Sequence, residues 1–173
     1  MNEKNIILIG FMGCGKTTFG KKIARQLSRQ FIDTDKYIEK SQERTISTIF
    51  AEEGEAAFRQ MEQDAAAALA QEKNLVIATG GGMVKSPAAM QALSSTGLVV
   101  YLKATAEQIY QNIGSDTTRP LLQTEDKLGT IRRMMAEREE LYQRYANVTV
   151  PLQGHSISAT CRLLLTRLEE NLS

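Results

Sequence analysis

The amino-acid sequence predicts an α/β protein with a five-stranded parallel sheet and helices on both faces. Short β-type runs recur between longer segments of helical periodicity, which is the alternation of βαβ units. The middle runs are apolar on both faces, as strands covered by helices on either side must be. At 173 residues the chain has the size of one domain, with a core large enough to fold without disulfides or metal staples.

The elements follow in order. NIILIG (5–10) predicts the first strand and 16–29 the first helix. FID (31–33) is a second strand, followed by helices at 35–42, 45–53 and 55–72, the last including an alanine run of strong helix formers. LVIATG (75–80) and LVVYLK (98–103) are further strands, each followed by a helix, at 86–95 and 105–112. GSDTTRPLLQTED (114–126) has little periodicity, and Pro120 breaks any helix there. It reads as a long surface loop, the kind that often forms a mobile lid, over approximately 113–125. A helix at 126–145, a strand NVTVPL (147–152) and a helix at 156–171 complete the chain, with no internal repeat or low-complexity linker.

Composition narrows the function classes. Acidic and basic residues nearly cancel, giving a formal charge of +1, and no Lys/Arg block forms the stripe of a nucleic-acid binder. Cys14 and Cys161 lie far apart without metal-ligand spacing, so neither a disulfide framework nor a zinc site is expected. The apolar run near the start is too short for a signal peptide, and no stretch approaches the ~20 apolar residues of a membrane span. A cytoplasmic protein with no nucleic-acid or membrane partner is expected.

After the first strand comes GFMGCGKT (10–17), which matches G-x-x-x-x-G-K-[ST] between a strand and a helix. Gly10, Gly13 and Gly15 let backbone N–H groups turn inward, and the following helix offers its positive end to an anion. Lys16 reaches the β- and γ-phosphates, and the Thr17 hydroxyl is placed for Mg²⁺. A three-layer P-loop NTPase fold binding a nucleoside triphosphate with Mg²⁺ is therefore expected, with Cys14 a small filler side chain.

FIDTD (31–35) places Asp33 and Asp35 two positions apart at the end of an apolar strand segment, so both side chains are expected on the same face, Asp35 farther out. A solvated turn is one reading. The other follows from the remaining strand ends, which finish in Thr79 and glycine or in Lys103 and supply no acid for the metal. Asp33 is then the metal-side carboxylate, acting through water, and Asp35 faces the phosphoryl acceptor, where it accepts a hydroxyl proton. Mg²⁺ and Lys16 offset the repulsion between the two acids.

On the acceptor side, the helix at 126–145 carries an apolar stripe of Leu128, Ile131, Met135, Tyr142 and Tyr145 on which Arg138 also falls. A guanidinium there needs either an internal carboxylate or a ligand anion. Arg59 is either a solvated charge or part of the same pocket. Gly80, Gly81 and Gly82 are either a tight turn or a wall against which a ligand approaches the backbone. Together these residues describe a pocket for a small hydroxylated carboxylate gripped by an arginine fork.

Six blocks, GFMGCGKTT, FIDTD, EGEAAFR (53–59), ATGGGMV (78–84), TRPLL (118–122) and EREELY (137–142), occur in the order of the shikimate kinases, which the chain resembles from residue 6 to about 150. The resemblance implies transfer of the ATP γ-phosphoryl to the 3-hydroxyl of shikimate, on the route to chorismate and aromatic amino acids. It implies that Asp35 and Arg59, in a substrate-binding helical segment at approximately 35–62, hold shikimate together with Gly81 of the glycine wall and Arg138. It assigns Asp33 and Thr17 to the metal and Gly13, Cys14, Gly15, Lys16, Thr17 and Thr18 to the phosphates. Arg119 in TRPLL would be the lid arginine that closes over the phosphates and, with Lys16 and Asp35, serves catalysis. Where many members carry an arginine near adenine, seven positions before the lid arginine, this chain has Asn112. The loop at Gln153, Gly154 and His155 has no clear counterpart, and His155 reads as a surface residue. The expected partners are shikimate and ATP, with the chain acting as a monomer. Other small-molecule P-loop kinases, of gluconate or nucleoside monophosphates, are the nearest alternative. A nucleotide-dependent switch is disfavoured because N-K-x-D is absent and the D-x-x-G at 126–129 lies far from the P-loop.

Overall fold

The computed structural model describes residues 3–113, 122–152 and 156–173. Five strands, β1 (Asn5–Ile9), β2 (Gln30–Asp33), β3 (Leu75–Ala78), β4 (Gly97–Lys103) and β5 (Val148–Pro151), form a wholly parallel sheet in the order β2-β3-β1-β4-β5. β1 is central and buried throughout, with Ile7 opposite Ile77 on one side and Val99 on the other.

The helices are α1 (Lys16–Gln26), α2 (Thr34–Gln42), α3 (Ile46–Ala70), α4 (Pro87–Thr96), α5 (Ala106–Ile113), α6 (Lys127–Tyr145) and α7 (Ile157–Leu172). Strand alternation sorts the core into two faces. Ile6, Leu8, Val76 and Val100 pack with Phe19 and Ile23 of α1 and Leu164 and Leu168 of α7. Ile7, Ile9, Ile77 and Val99 pack with Ala66 and Leu69 of α3 and Met90 and Leu93 of α4. The result is the expected three-layer arrangement, in which each fully buried aliphatic side chain contributes about 1.5–3 kcal/mol relative to exposure. A smaller cluster of Ile38, Ile49, Phe58 and Ala65 joins α2 to α3.

Local chemistry sets the helix boundaries. Thr45, Ser86, Asp126 and Ser156 each accept a backbone N–H from the first turn of their helix, and Pro87 follows Ser86 at the first helical position. Gly54 has φ 85° and divides α3, so the two helices expected on either side of it meet at a kink. Its side-chain position is open space; the need for glycine there is conformational.

The end of α1 and the approach to α4 differ from expectation. α1 stops at Gln26, three residues early, because Ser28 takes φ 54° and the N–H groups of Ser28 and Arg29 bond back to Arg25 and Ala24. This is a Schellman stop whose usual glycine signal is missing. A 3₁₀ turn, Met83–Lys85, precedes α4 and packs Met83 and Val84 into the core.

Asn5 is a buried polar side chain in β1. Its amide nitrogen donates to Leu69 O at 3.4 Å and Glu72 O at 3.0 Å, and its oxygen accepts from Leu75 N at 3.0 Å. One side chain thereby joins the end of α3 to the start of β3. Replacing it leaves the buried Leu75 N–H without its acceptor, so Asn5→Ala should lower the free energy of urea unfolding by about 1–3 kcal/mol. A loss under about 0.5 kcal/mol would contradict this account of the α3–β3 junction.

Candidate active site

Parallel strands end at a common edge, and the chain leaves β1 to pair with β3 on one side and β4 on the other, which opens a crevice beyond the C-terminal end of β1. The glycine-rich turn fills that crevice. Gly13 has φ 77° and Gly15 φ 104°, and Cys14 N–H closes the turn on Phe11 O at 3.1 Å. Gly15 caps α1 without a side chain, leaving the first amides of the helix directed at the crevice. Lys16 is buried, and its ammonium donates to Gly10 O at 2.5 Å and Phe11 O at 3.2 Å, with Cys14 Sγ 3.8 Å away. Cys14 itself is buried in the core beside Phe11, in keeping with a small filler side chain.

The paired acids are placed by a mechanism other than strand alternation. β2 ends at Asp33, and α2 begins at Thr34 rather than at residue 35, because Asp33 caps the helix. Asp33 Oδ1 accepts from Asp35 N at 2.9 Å and Lys36 N at 3.2 Å, while Oδ2 accepts from the Thr17 hydroxyl at 3.4 Å. Asp35 therefore lies in the first turn of a helix, and the idea that both acids share a strand face is corrected. The two side chains nonetheless line one cleft of about 690 Å³ with Gly13, Lys16, Thr17 and Thr18. Burial, and then the charge of Asp33, push the Asp35 carboxyl above the usual carboxylate range; Lys16 and Arg59 pull the other way.

The three glycines after β3 join this cleft to the arginines. Gly80 and Gly81 line it. A Cβ on Gly80 would fall 2.5 Å from Asp35 Oδ1, and one on Gly82 would fall 2.8 Å from Arg59 Nη2. Close approach to polar side chains is thus what these two positions require. Gly80 N–H donates to the buried Thr34 hydroxyl at 2.9 Å, which holds the turn against the start of α2. Arg138 is buried, donates to Gly81 O at 3.1 Å and lies with its guanidinium carbon 5.3 Å from the centre of the Phe11 ring. Among the described residues no carboxylate pairs with it. Arg59 is half-buried and bridges Glu62 at 2.5 Å and Glu55 at 3.3 Å, so its reading as a solvated charge is set aside.

Glu62 was not singled out in the sequence. It is buried, and burial raises its pKa against the pull of Arg59. Its position three residues after Arg59, on one helix face, was the available signal. Phe11, Thr34 and Tyr142 also shape the site, and only Tyr142 carried a sequence signal, as part of the α6 stripe. Asn112 donates to Gly13 O at 2.8 Å, tying the end of α5 to the glycine turn. Arg119, most of the expected lid, and the loop at Gln153, Gly154 and His155 lie outside the described residues.

The donor chemistry beside the turn suits a hard cation. The Thr17 hydroxyl and Asp33 Oδ2 are oxygens within 3.4 Å of each other, and among the described residues no cluster of three or more His, Cys, Asp or Glu offers an all-protein cage. Mg²⁺ is characteristically bound in this way, through one or two protein oxygens, substrate phosphates and water.

A family model for shikimate kinase matches residues 12–169. The shikimate kinase of Francisella philomiragia subsp. philomiragia is 46% identical over 171 residues, covering 98% of this chain and 97% of the relative. That of Francisella tularensis subsp. novicida is 45% identical with the same coverage. Among solved structures, the shikimate kinase from Acinetobacter baumannii in complex with shikimate superposes with a TM-score of 0.91 at 36% identity, over 98% of this chain and 95% of that one. The enzyme from Bacteroides thetaiotaomicron gives 0.87 at 32% identity, over 97% and 99%. With the P-loop, the capped pair of acids and the glycine wall assembled at one sheet edge, the chain belongs to the shikimate kinase family.

Proposed function

We propose that this chain transfers the γ-phosphoryl group of ATP to the 3-hydroxyl of shikimate, giving shikimate 3-phosphate and ADP. The observation that carries the mechanism is Asp35: a half-buried carboxylate with a raised pKa, lining the same cleft as Lys16 and pressed against the glycine wall.

Residues 35–62 and the wall at 80–82 form the acceptor half of the site. Arg138 and Arg59 grip the carboxylate of shikimate, each on its own support, Gly81 O for Arg138 and Glu62 for Arg59. Asp35 accepts the proton of the attacking hydroxyl as the O–P bond forms. A base whose pKa has been moved towards neutrality does this with less loss of driving force. The amides at Gly13–Thr18 and the Lys16 ammonium hold the transferring and leaving phosphates and stabilise their charge. Thr17 and Asp33 would hold Mg²⁺, which supplies neutralisation of the phosphate oxygens when bound. Arg119, from the lid at approximately 113–125, closes over the phosphates. Positioning and electrostatics supply most of the rate in such transfers. Action as a cytoplasmic monomer is part of the same reading, and among the described residues no helix is long and apolar enough to cross a membrane.

The direct test is ADP release from ATP with shikimate, gluconate and nucleoside monophosphates as acceptors. Turnover on shikimate is expected, and turnover only on one of the others would overturn the assignment. Asp35→Asn should lower kcat by about 10²-fold or more, and an unchanged kcat would remove the general-base role. The same variant has a thermodynamic signature. The folded state holds the Asp35 proton more tightly than the unfolded chain, so raising pH through the folded value ionises a buried acid and costs stability. Asp35→Asn should therefore be at least as stable as the parent at neutral pH, with little difference in acid, whereas marked destabilisation at neutral pH would contradict the raised pKa. Arg138→Ala should raise KM for shikimate by about 10-fold or more while KM for ATP changes little, as loss of a charged hydrogen bond to one substrate requires. Equal increases for both substrates would instead make Arg138 a purely structural cation.

A further inference from the structure

We propose that Tyr142 is a positioning residue for the acceptor: with Arg138 it saturates the Gly81 carbonyl and so fixes both the glycine wall and the arginine that meets the substrate carboxylate. This rests on the reading of that half of the site given above. The Tyr142 hydroxyl lies 3.2 Å from Gly81 O, and Arg138 Nη1 lies 3.1 Å from the same oxygen. A carbonyl oxygen has two lone pairs, and here each has a donor. With a single donor the guanidinium and the peptide can pivot about one contact. Two donors, from positions four apart on one face of α6, remove that freedom.

Tyr142 is itself held. It is almost wholly buried and stacks on Tyr101, with ring centres 4.8 Å apart and planes at 21°. The Tyr101 hydroxyl donates to Glu139 Oε2 at 2.5 Å, and Glu139 also pairs with Lys103 at 3.0 Å. Burial raises Glu139, but the hydrogen bonds from Gln143, Tyr101 and Lys103 bring it net below its ordinary value, which keeps it an acceptor for the Tyr101 hydroxyl. Burial also pushes the Tyr142 phenol up to about 12, so it remains a proton donor at neutral pH. The line of contacts runs from Lys103 at the end of β4, through Glu139, Tyr101 and Tyr142, to the turn after β3. Arg138 completes the arrangement with its plane near Phe11 and its remaining N–H groups unclaimed by any carboxylate among the described residues.

Tyr142→Phe keeps the ring and its stacking and removes one hydroxyl. It should raise KM for shikimate by about 5- to 10-fold while kcat and KM for ATP stay within about two-fold, because only the acceptor half loses its register. Tyr101→Phe should shift the shikimate KM in the same direction by less, and Tyr110→Phe, on the exposed side of α5, should change nothing. A shikimate KM within about two-fold of the parent for Tyr142→Phe, or equal increases in both KM values, overturns the proposal. If the parent protein turns over no shikimate, the proposed function fails, and the positioning claim is then decided by crystal structures of the parent and Tyr142→Phe. Displacement of the Arg138 guanidinium from the Gly81 carbonyl supports it, and an unchanged Arg138 overturns it.

Discussion

The cap on α2 is the constraint from which the site follows. A helix start leaves backbone N–H groups without partners, and Asp33 satisfies two of them with one oxygen. That commitment leaves its second oxygen toward Thr17 and turns the chain so that Asp35, two residues on, enters the first turn of α2. The same carboxylate thus meets a local folding requirement and reaches the Thr17 hydroxyl at the start of α1. The Thr34 side chain, between the two acids, reaches across to the Gly80 N–H and registers this corner against the glycine turn.

Much of the fold was legible because its signals are local or periodic. Uniformly apolar strands, the strand–P-loop–helix sequence and capping residues before helices each have one physical reading. The early stop of α1 was not, since Ser28 adopts a left-handed conformation that glycine ordinarily announces. The paired acids show a different failure. Their proximity to the cleft was readable, but the cause was not, because FIDTD fits a strand end and a helix cap equally well until the Asp33 hydrogen bonds are known. The chemistry of Arg138 was half legible: periodicity placed it on a buried face, but its partners are a carbonyl and an aromatic ring contributed by distant segments. Glu62 was the clearest omission, an acid one helical turn from Arg59 that only tertiary burial distinguishes from the surface acids around it.

Charges are buried here at a cost. Arg138, Glu62 and Lys16 are all largely removed from water, and desolvation of each opposes folding. Every one is held by specific partners: two loop carbonyls for Lys16, Arg59 for Glu62, and Gly81 with Phe11 for Arg138. This is the expense of a preorganised pocket, in which cations and a raised-pKa acid stand in place before substrates arrive and need little rearrangement during the reaction. The glycine wall makes that density feasible, since a side chain at Gly80 would meet the Asp35 carboxylate and one at Gly82 the Arg59 guanidinium.

In the proposed mechanism Asp33 and Asp35 divide their labour between metal and acceptor. A crystal structure with Mg²⁺, ADP and shikimate tests this most directly. It should show an Asp35 oxygen within about 2.6–3.2 Å of the shikimate 3-hydroxyl, with Asp33 on the Mg²⁺ side of the phosphates beside Thr17. A shikimate bound with that hydroxyl away from Asp35, or a metal held without Thr17 and Asp33 nearby, would contradict it.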